Sequence, residues 1–146
     1  MAEINIKIDG AEAVIKRLGE IASRMSNPAP ILKAIGDRIA EQTKCRFEAG
    51  GPDPAGDPWA ALKPATLKRK KRDKILTESG QLKNSIRYQM IGNNTVEIGT
   101  NKIYAAVHHY GFKKKNIPAR PFLGLSRKDG DEIVGIINEY IMGKVI

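Results

Sequence analysis

Between Gly50 and Ile86 the chain reads GGPDPAGDPWAALKPATLKRKKRDKILTESGQLKNSI, and this stretch restricts the fold more than any other. Gly50 to Pro58 holds three glycines, three prolines and two aspartates in nine residues. Proline removes backbone donors and glycine frees the backbone from right-handed geometry, so the segment is a loop. From Lys63 to Lys74, seven of twelve residues are basic and apolar side chains show no period. Such a tract cannot lie across a core. Like charges this close repel, so the tract gains from an acidic partner or stays mobile. The core must therefore come from the segments on either side. Trp59, the only tryptophan, and Leu62 offer apolar anchors at the far end of the loop. Residues 50–74 are expected to form a flexible loop and basic arm, hinged near Gly50.

Upstream, Glu3 to Asp9 alternates, with Ile4, Ile6 and Ile8 on one face, which predicts a half-buried strand. Ala11 to about Arg24 predicts an amphipathic helix that buries Val14, Leu18, Ile21, Ala22 and Met25. Ser26 to Pro30 breaks it, and a longer helix follows to about Ala49 on Ile31, Ile35, Ile39 and Phe47. Their short connection predicts antiparallel packing of the two helices. Cys45 reads as a small buried hydrophobe.

Downstream, Pro64 suits the first turn of a short helix reaching about Lys71. Ser79 to Leu82 reads as the start of another. Ser85–Ile91 and Thr95–Gly99 alternate around Gly92-Asn93-Asn94, the strongest hairpin signal in the chain. Tyr104 to Tyr110 is a short helix closed by Gly111. Lys113-Lys114-Lys115 forms a second basic cluster in a loop, followed by the proline-fixed, apolar segment Ile117 to Leu123. A last helix runs from about Asp129 to Met142. Asp129 and Glu132 resemble a capping-box pair, and Ile133, Ile136, Ile137, Tyr140 and Ile141 form its apolar face. The order of elements lacks the regular alternation of a doubly wound sheet, so the expected class is α+β in a single domain over residues 1–146.

Charge is a property of the middle of the chain. Residues 1–62 hold eight Lys/Arg against nine Asp/Glu, residues 63–128 sixteen against three, and residues 129–146 one against four. A basic belt of this kind attracts polyanions or acidic protein surfaces. No apolar run approaches the ~20 residues of a membrane span. The first residues lack a basic stretch followed by an apolar block, so cytoplasmic synthesis is expected. One cysteine, Cys45, allows no internal disulfide and no multi-cysteine metal site.

Catalytic and metal chemistry finds little support. His108 and His109 are the only histidines, and adjacent helical residues diverge by about 100°, so they do not face one metal. Turn formation explains Asp53 and Asp57; capping explains Asp129 and Asp131. Phosphate-loop, dinucleotide and nucleophile-elbow patterns are missing. No cofactor is expected. The basic tract can neutralise phosphates but has no aromatic residues between Lys63 and Lys74 on which bases would stack.

An ordered set of short signatures runs from Asp53 onward. Asp53-Pro54-x-Gly56-x-Pro58-Trp59-x-x-Leu62 leads into Pro64-x-Thr66 and the basic tract. Ile75-Leu76-Thr77-x-Ser79-Gly80-x-Leu82-x-x-Ser85-Ile86 follows, then Val96-x-Ile98-Gly99. Tyr104-Ala105-x-x-His108, Gly111 and Ile117-Pro118-Ala119-Arg120-Pro121-Phe122-Leu123-Gly124-Leu125 complete the set. In this order the chain resembles the phage virion-morphogenesis or tail-completion family of contractile-tailed phages and Mu-like prophages. The resemblance implies a non-enzymatic subunit that completes the tail or prepares it for head–tail joining. It also implies self-association in a ring, tail or connector proteins as partners, and a place in the virion after assembly in the host cytoplasm.

On this reading Trp59, Leu62, Leu76, Leu82, Ile86, Tyr104, Pro118, Pro121 and Phe122 pack the signature segments onto the core. Arg120 lies between two prolines and is read as pairing with an acid in preference to contacting a neighbour. Lys63, Lys68, Arg69, Lys70, Lys71, Arg72, Lys74, Lys113, Lys114 and Lys115 are the candidates for contact with a partner or polyanion. The alternative reading is a non-specific nucleic-acid-binding module built on the same basic residues.

Overall fold

The computed structural model describes residues 11–70 and 74–143. The strand expected at 3–9 and the basic residues Lys71 and Arg72 lie outside the described residues.

The axis of the molecule is α2 (Ala29–Ala49), which begins with Pro30 in its first turn and ends at Gly50 in a left-handed cap. Its i, i+4 spacing buries Ile31, Ile39, Thr43 and Phe47 on one side. The hairpin of β1 (Arg87–Ile91) and β2 (Thr95–Gly99) lies across it, with Tyr88 opposite Ile98 and Met90 opposite Val96. These four side chains alternate inward as the sequence predicts. Contact is close because Gly36 is buried in α2: a Cβ there would stand 2.7 Å from Val96 Cγ2 and 2.8 Å from Tyr88 Cγ.

On the other flank of α2 lies α6 (Arg127–Ile141). A side-on pair joins them: Arg38 Nε and Nη2 donate to the two Glu132 oxygens at 2.8 and 3.0 Å, and Gln42 adds a bond at 3.2 Å. These bonds hold the Glu132 carboxyl below its ordinary range and raise the Arg38 guanidinium above its own. Glu132 is therefore not the capping partner expected for Asp129. The helix starts two residues earlier: Ser126 is the N-cap, its hydroxyl accepts from the Asp129 N–H at 3.1 Å, and Asp129 accepts from the Ser126 N–H at 2.9 Å. The capping box is real but shifted by one turn.

The antiparallel packing expected for the first two helices is replaced by another arrangement. α1 (Ala11–Met25) does not lie along α2; it docks on the C-terminal end of α6. Arg24 donates to the Ile141 carbonyl at 3.0 Å, Arg17 to Met142 at 2.8 Å, and the Tyr140 hydroxyl to Arg24 and Asn27, both at 3.1 Å. These bonds satisfy the end of α6 and turn α1 away from the core. Val14, Leu18 and Met25, expected to be buried, are 58, 60 and 54% exposed. Cys45 is likewise exposed, since it falls on the solvent side of α2.

The remaining elements are short. α3 (Pro64–Arg69) buries nothing, α4 (Gln81–Asn84) contributes Leu82, α5 (Ala105–Tyr110) contributes Ala105, and Lys113–Lys115 forms one 3-10 turn. The whole is α+β with one two-stranded antiparallel sheet among the described residues. Its core is Ala40, Phe47, Trp59, Leu82, Ile86, Ala105 and Phe122, with Ile75, Leu76, Ile98 and Leu123 packed around it.

Candidate functional site

The signatures that are scattered along the chain meet at one junction. Phe47, at the end of α2, is fully buried between Trp59 and Phe122, with ring centroids 5.9 and 5.3 Å away. The Trp59 pair is edge-to-face and the Phe122 pair tilted, and such aromatic pairs add about 1 kcal/mol beyond their burial. Trp59 Nε1–H donates to the Pro121 carbonyl at 2.7 Å, so the one polar atom of the indole is satisfied inside the core. The loop before it closes on itself, with Asp53 bridging to the Asp57 N–H at 2.9 Å, and Pro54 lies against Gly124.

Arg120 is the second element of the junction. It is 8% exposed, and it does not pair with an acid among the described residues. Nε donates to the Ala60 carbonyl at 2.8 Å and Nη2 to the Ala61 carbonyl at 3.1 Å. Its own N–H donates to the His108 carbonyl at 2.8 Å. The side chain thus clamps the strip after Trp59, while its backbone holds α5. Gly111 permits this approach: it has φ +79° and lies where a Cβ would be 2.7 Å from the Ala119 nitrogen. His109 completes the seam. Its Nδ1 accepts from the Phe122 N–H at 3.3 Å, and burial lowers its basicity.

The other packing candidates occupy graded positions. Leu82 and Ile86 are buried, whereas Leu62, Leu76, Pro118 and Pro121 are half-buried around the same core. Leu76 has φ +59°, a strained value for a side chain of its size, at the turn that brings Thr77 inward. Tyr104 is 42% exposed and meets His108 edge-on; Ala105, beside it, supplies the buried side chain.

The basic residues form two connected groups. Lys63 donates to the Asn116 carbonyl at 3.0 Å, which sets the start of the first cluster beside the end of Lys113–Lys115. Lys68, Arg69, Lys113, Lys114 and Lys115 are exposed. Lys74 turns the other way and pairs with Glu48 at 2.7 Å, where Lys83 also binds. Those two ammonium groups, Lys74 first, hold the Glu48 carboxyl down at about 2. Lys74 is therefore partly neutralised within the chain, whereas Lys68 and Arg69 pair with no acid among the described residues.

Two residues escaped the sequence reading. Arg46 donates to the Phe122 carbonyl at 2.8 Å and lies 3.5 Å from Asp129, with both side chains almost fully buried. Gly36 seats the hairpin. Neither carries a local sequence mark: an Arg late in an amphipathic helix reads as solvated, and a helical glycine reads as a mere weakness. Among the described residues no three His, Cys, Asp or Glu side chains gather closely enough to hold a metal ion, and no helix is long and apolar enough to cross a membrane.

The side chains named by the signatures pin loops onto a small α+β core and leave a cationic surface free, the construction of a binding or building subunit. The chain belongs to the phage virion morphogenesis family, whose profile matches residues 9–142. It is 32% identical over 143 residues to the Mu-like prophage FluMu G protein 2 of Haemophilus influenzae, covering 94% of this chain and 95% of that protein. It is 26% identical over 152 residues to protein G of Escherichia phage Mu, whose name points to capsid assembly, across 95% of this chain and 94% of that one. No solved structure matches the chain. Membership assigns the protein a structural part in virion morphogenesis.

Proposed function

We propose that the protein is a non-enzymatic subunit that completes the phage tail or readies it for joining to the head, and that it works as a self-associating ring. The observation that carries this reading is the apolar stripe of α1. Val14, Ile15, Leu18 and Met25 are more than half exposed on a helix held away from its own core. An amphipathic helix in that position is stabilised by burying its stripe on another chain. Head-to-tail contacts between identical subunits close into rings when the rotation allows. Tail or head–tail connector proteins are the further partners, and the virion is where the subunit ends up.

Light scattering and negative-stain imaging of the purified protein test this reading. The expected result is a closed oligomer whose contacts each bury more than ~1,000 Å². A strict monomer that also ignores tail tubes would sink it. A second reading, non-specific binding to nucleic acid, draws on the Lys63–Asn116 bond that brings the basic clusters together. It requires binding to duplex DNA that weakens steeply with salt; no retention at low salt removes it.

A further inference from the structure

Arg120 uses only one edge of its guanidinium. Nε and Nη2 are committed to the carbonyls of Ala60 and Ala61, and Nη1 has no acceptor among the described residues. Most of the side chain is buried, but Nη1 keeps contact with solvent, and the two carbonyl dipoles offset the charge only in part. The side chain lines a cleft of about 300 Å³ between α3, the Leu76–Gln81 turn and α5. Arg69, Lys70 and His108 line the same cleft, the Lys70 ammonium also donating to the Lys74 carbonyl at 2.6 Å, and Glu78 is the one acid on it among the described residues. Glu78 is exposed and forms no ion pair with these cations. Burial lowers the basicity of His108 most, and Arg120 and Lys70 lower it further, as expected where cations converge without compensation.

We propose that this cleft is a receptor for a carboxylate side chain on an acidic segment of a partner protein, with the Arg120 guanidinium at its floor and Arg69 and Lys70 at its rim. A carboxylate accepts two parallel bonds from a guanidinium edge, a geometry that the end of Arg120 can supply. Duplex phosphates lie on a stiff convex backbone and are met equally well by exposed lysines such as Lys113–Lys115. A recess with the cation at its base selects a side chain that can reach inward. That the partner is a virion protein rests on the proposed function; the chemistry of the cleft does not.

The test is side-chain and amide NMR on the full, isotope-labelled chain. A capped peptide carrying two adjacent glutamates is titrated beside its glutamine counterpart and beside a short DNA duplex. The expected result is a saturable shift of the Arg120 Nε–H and Thr77 N–H signals with the glutamate peptide, and binding at least about tenfold weaker with the glutamine peptide. Arg120 itself stays intact, since its loss would release Ala60 and Ala61. Arg69→Gln with Lys70→Gln, both at the rim, should weaken the glutamate peptide about tenfold and leave the melting temperature unchanged. Equal binding of the two peptides, or no saturation at Arg120, overturns the inference; so does a duplex that shifts the same signals at lower concentration. Light scattering on the same samples separates this result from the proposed ring: an oligomer with a silent cleft refutes only the receptor, and a monomer with an active cleft refutes only the ring.

Discussion

At the scale of single residues, Asp129 is the most exposed to loss. It caps α6 through Ser126 and faces Arg46 at 3.5 Å while almost wholly buried. Asp129→Ala should cost about 3 kcal/mol, because Arg46 is left without its acid and the Ser126 N–H without its acceptor, although Ser126 still caps the helix. Urea unfolding followed by Trp59 emission measures this directly, since no other tryptophan contributes. Trp59→Phe, followed by circular dichroism, should cost about 2 kcal/mol through the lost bond to Pro121 and the smaller ring. His109 gives a pH signature. Its native basicity is lowered, so the unfolded chain takes up the proton first, near pH 6.5. Stability is complete above that value and declines as pH falls towards the lowered native one. Melting temperatures should drop between pH 7 and 5, and His109→Asn, which retains an acceptor for the Phe122 N–H, should flatten that slope. An unchanged slope would assign it to His108 instead.

At the scale of elements, Gly36 sets how near the hairpin approaches α2. Alanine favours helices by about 1 kcal/mol over glycine. Here its methyl would collide with Val96 and Tyr88 at under 3 Å, so Gly36→Ala should destabilise by about 1–3 kcal/mol despite that preference. A gain in stability would show that the hairpin yields. The long helices and the hairpin were legible because their periods are strong and local: Ile31 and Ile39 for α2, Tyr88 and Met90 against Val96 and Ile98 for the sheet. The capping of α6 was misread because two acidic residues compete for one role, and the winner was decided by Arg38, 94 residues away from Glu132. The partner of α1 was illegible for a related reason. An apolar stripe declares that it will be covered, and says nothing about which surface covers it.

At the scale of the whole molecule, the basic tract matters less as a run of charge than as a set of separate fates. Lys74 is spent on Glu48, Lys63 and Lys70 each donate to a carbonyl, and Arg69 borders a cleft that Lys70 also lines. The sequence shows the density of charge but cannot show this division, since Glu48 and Asn116 lie far from the tract in the chain. Leu18→Glu tests the outward stripe of α1: because Leu18 is 60% exposed, the melting temperature should scarcely move, while light scattering should report smaller particles. A large loss of stability would mean that the stripe serves the monomer. The junction at residues 120–132 also has a consequence for the order of events in the cell. Phe47 and Trp59 wait for Phe122 and Pro121, Arg46 for Asp129, Arg38 for Glu132, and the strip after Trp59 for Arg120. Every one of these contacts joins the first half of the chain to its last fifth. The first half therefore has no complete hydrophobic partner until residues 120–132 have been made, and the fold closes only after they leave the ribosome. A product cut short before residue 120 would lack every one of the closing contacts and could not reach the folded form.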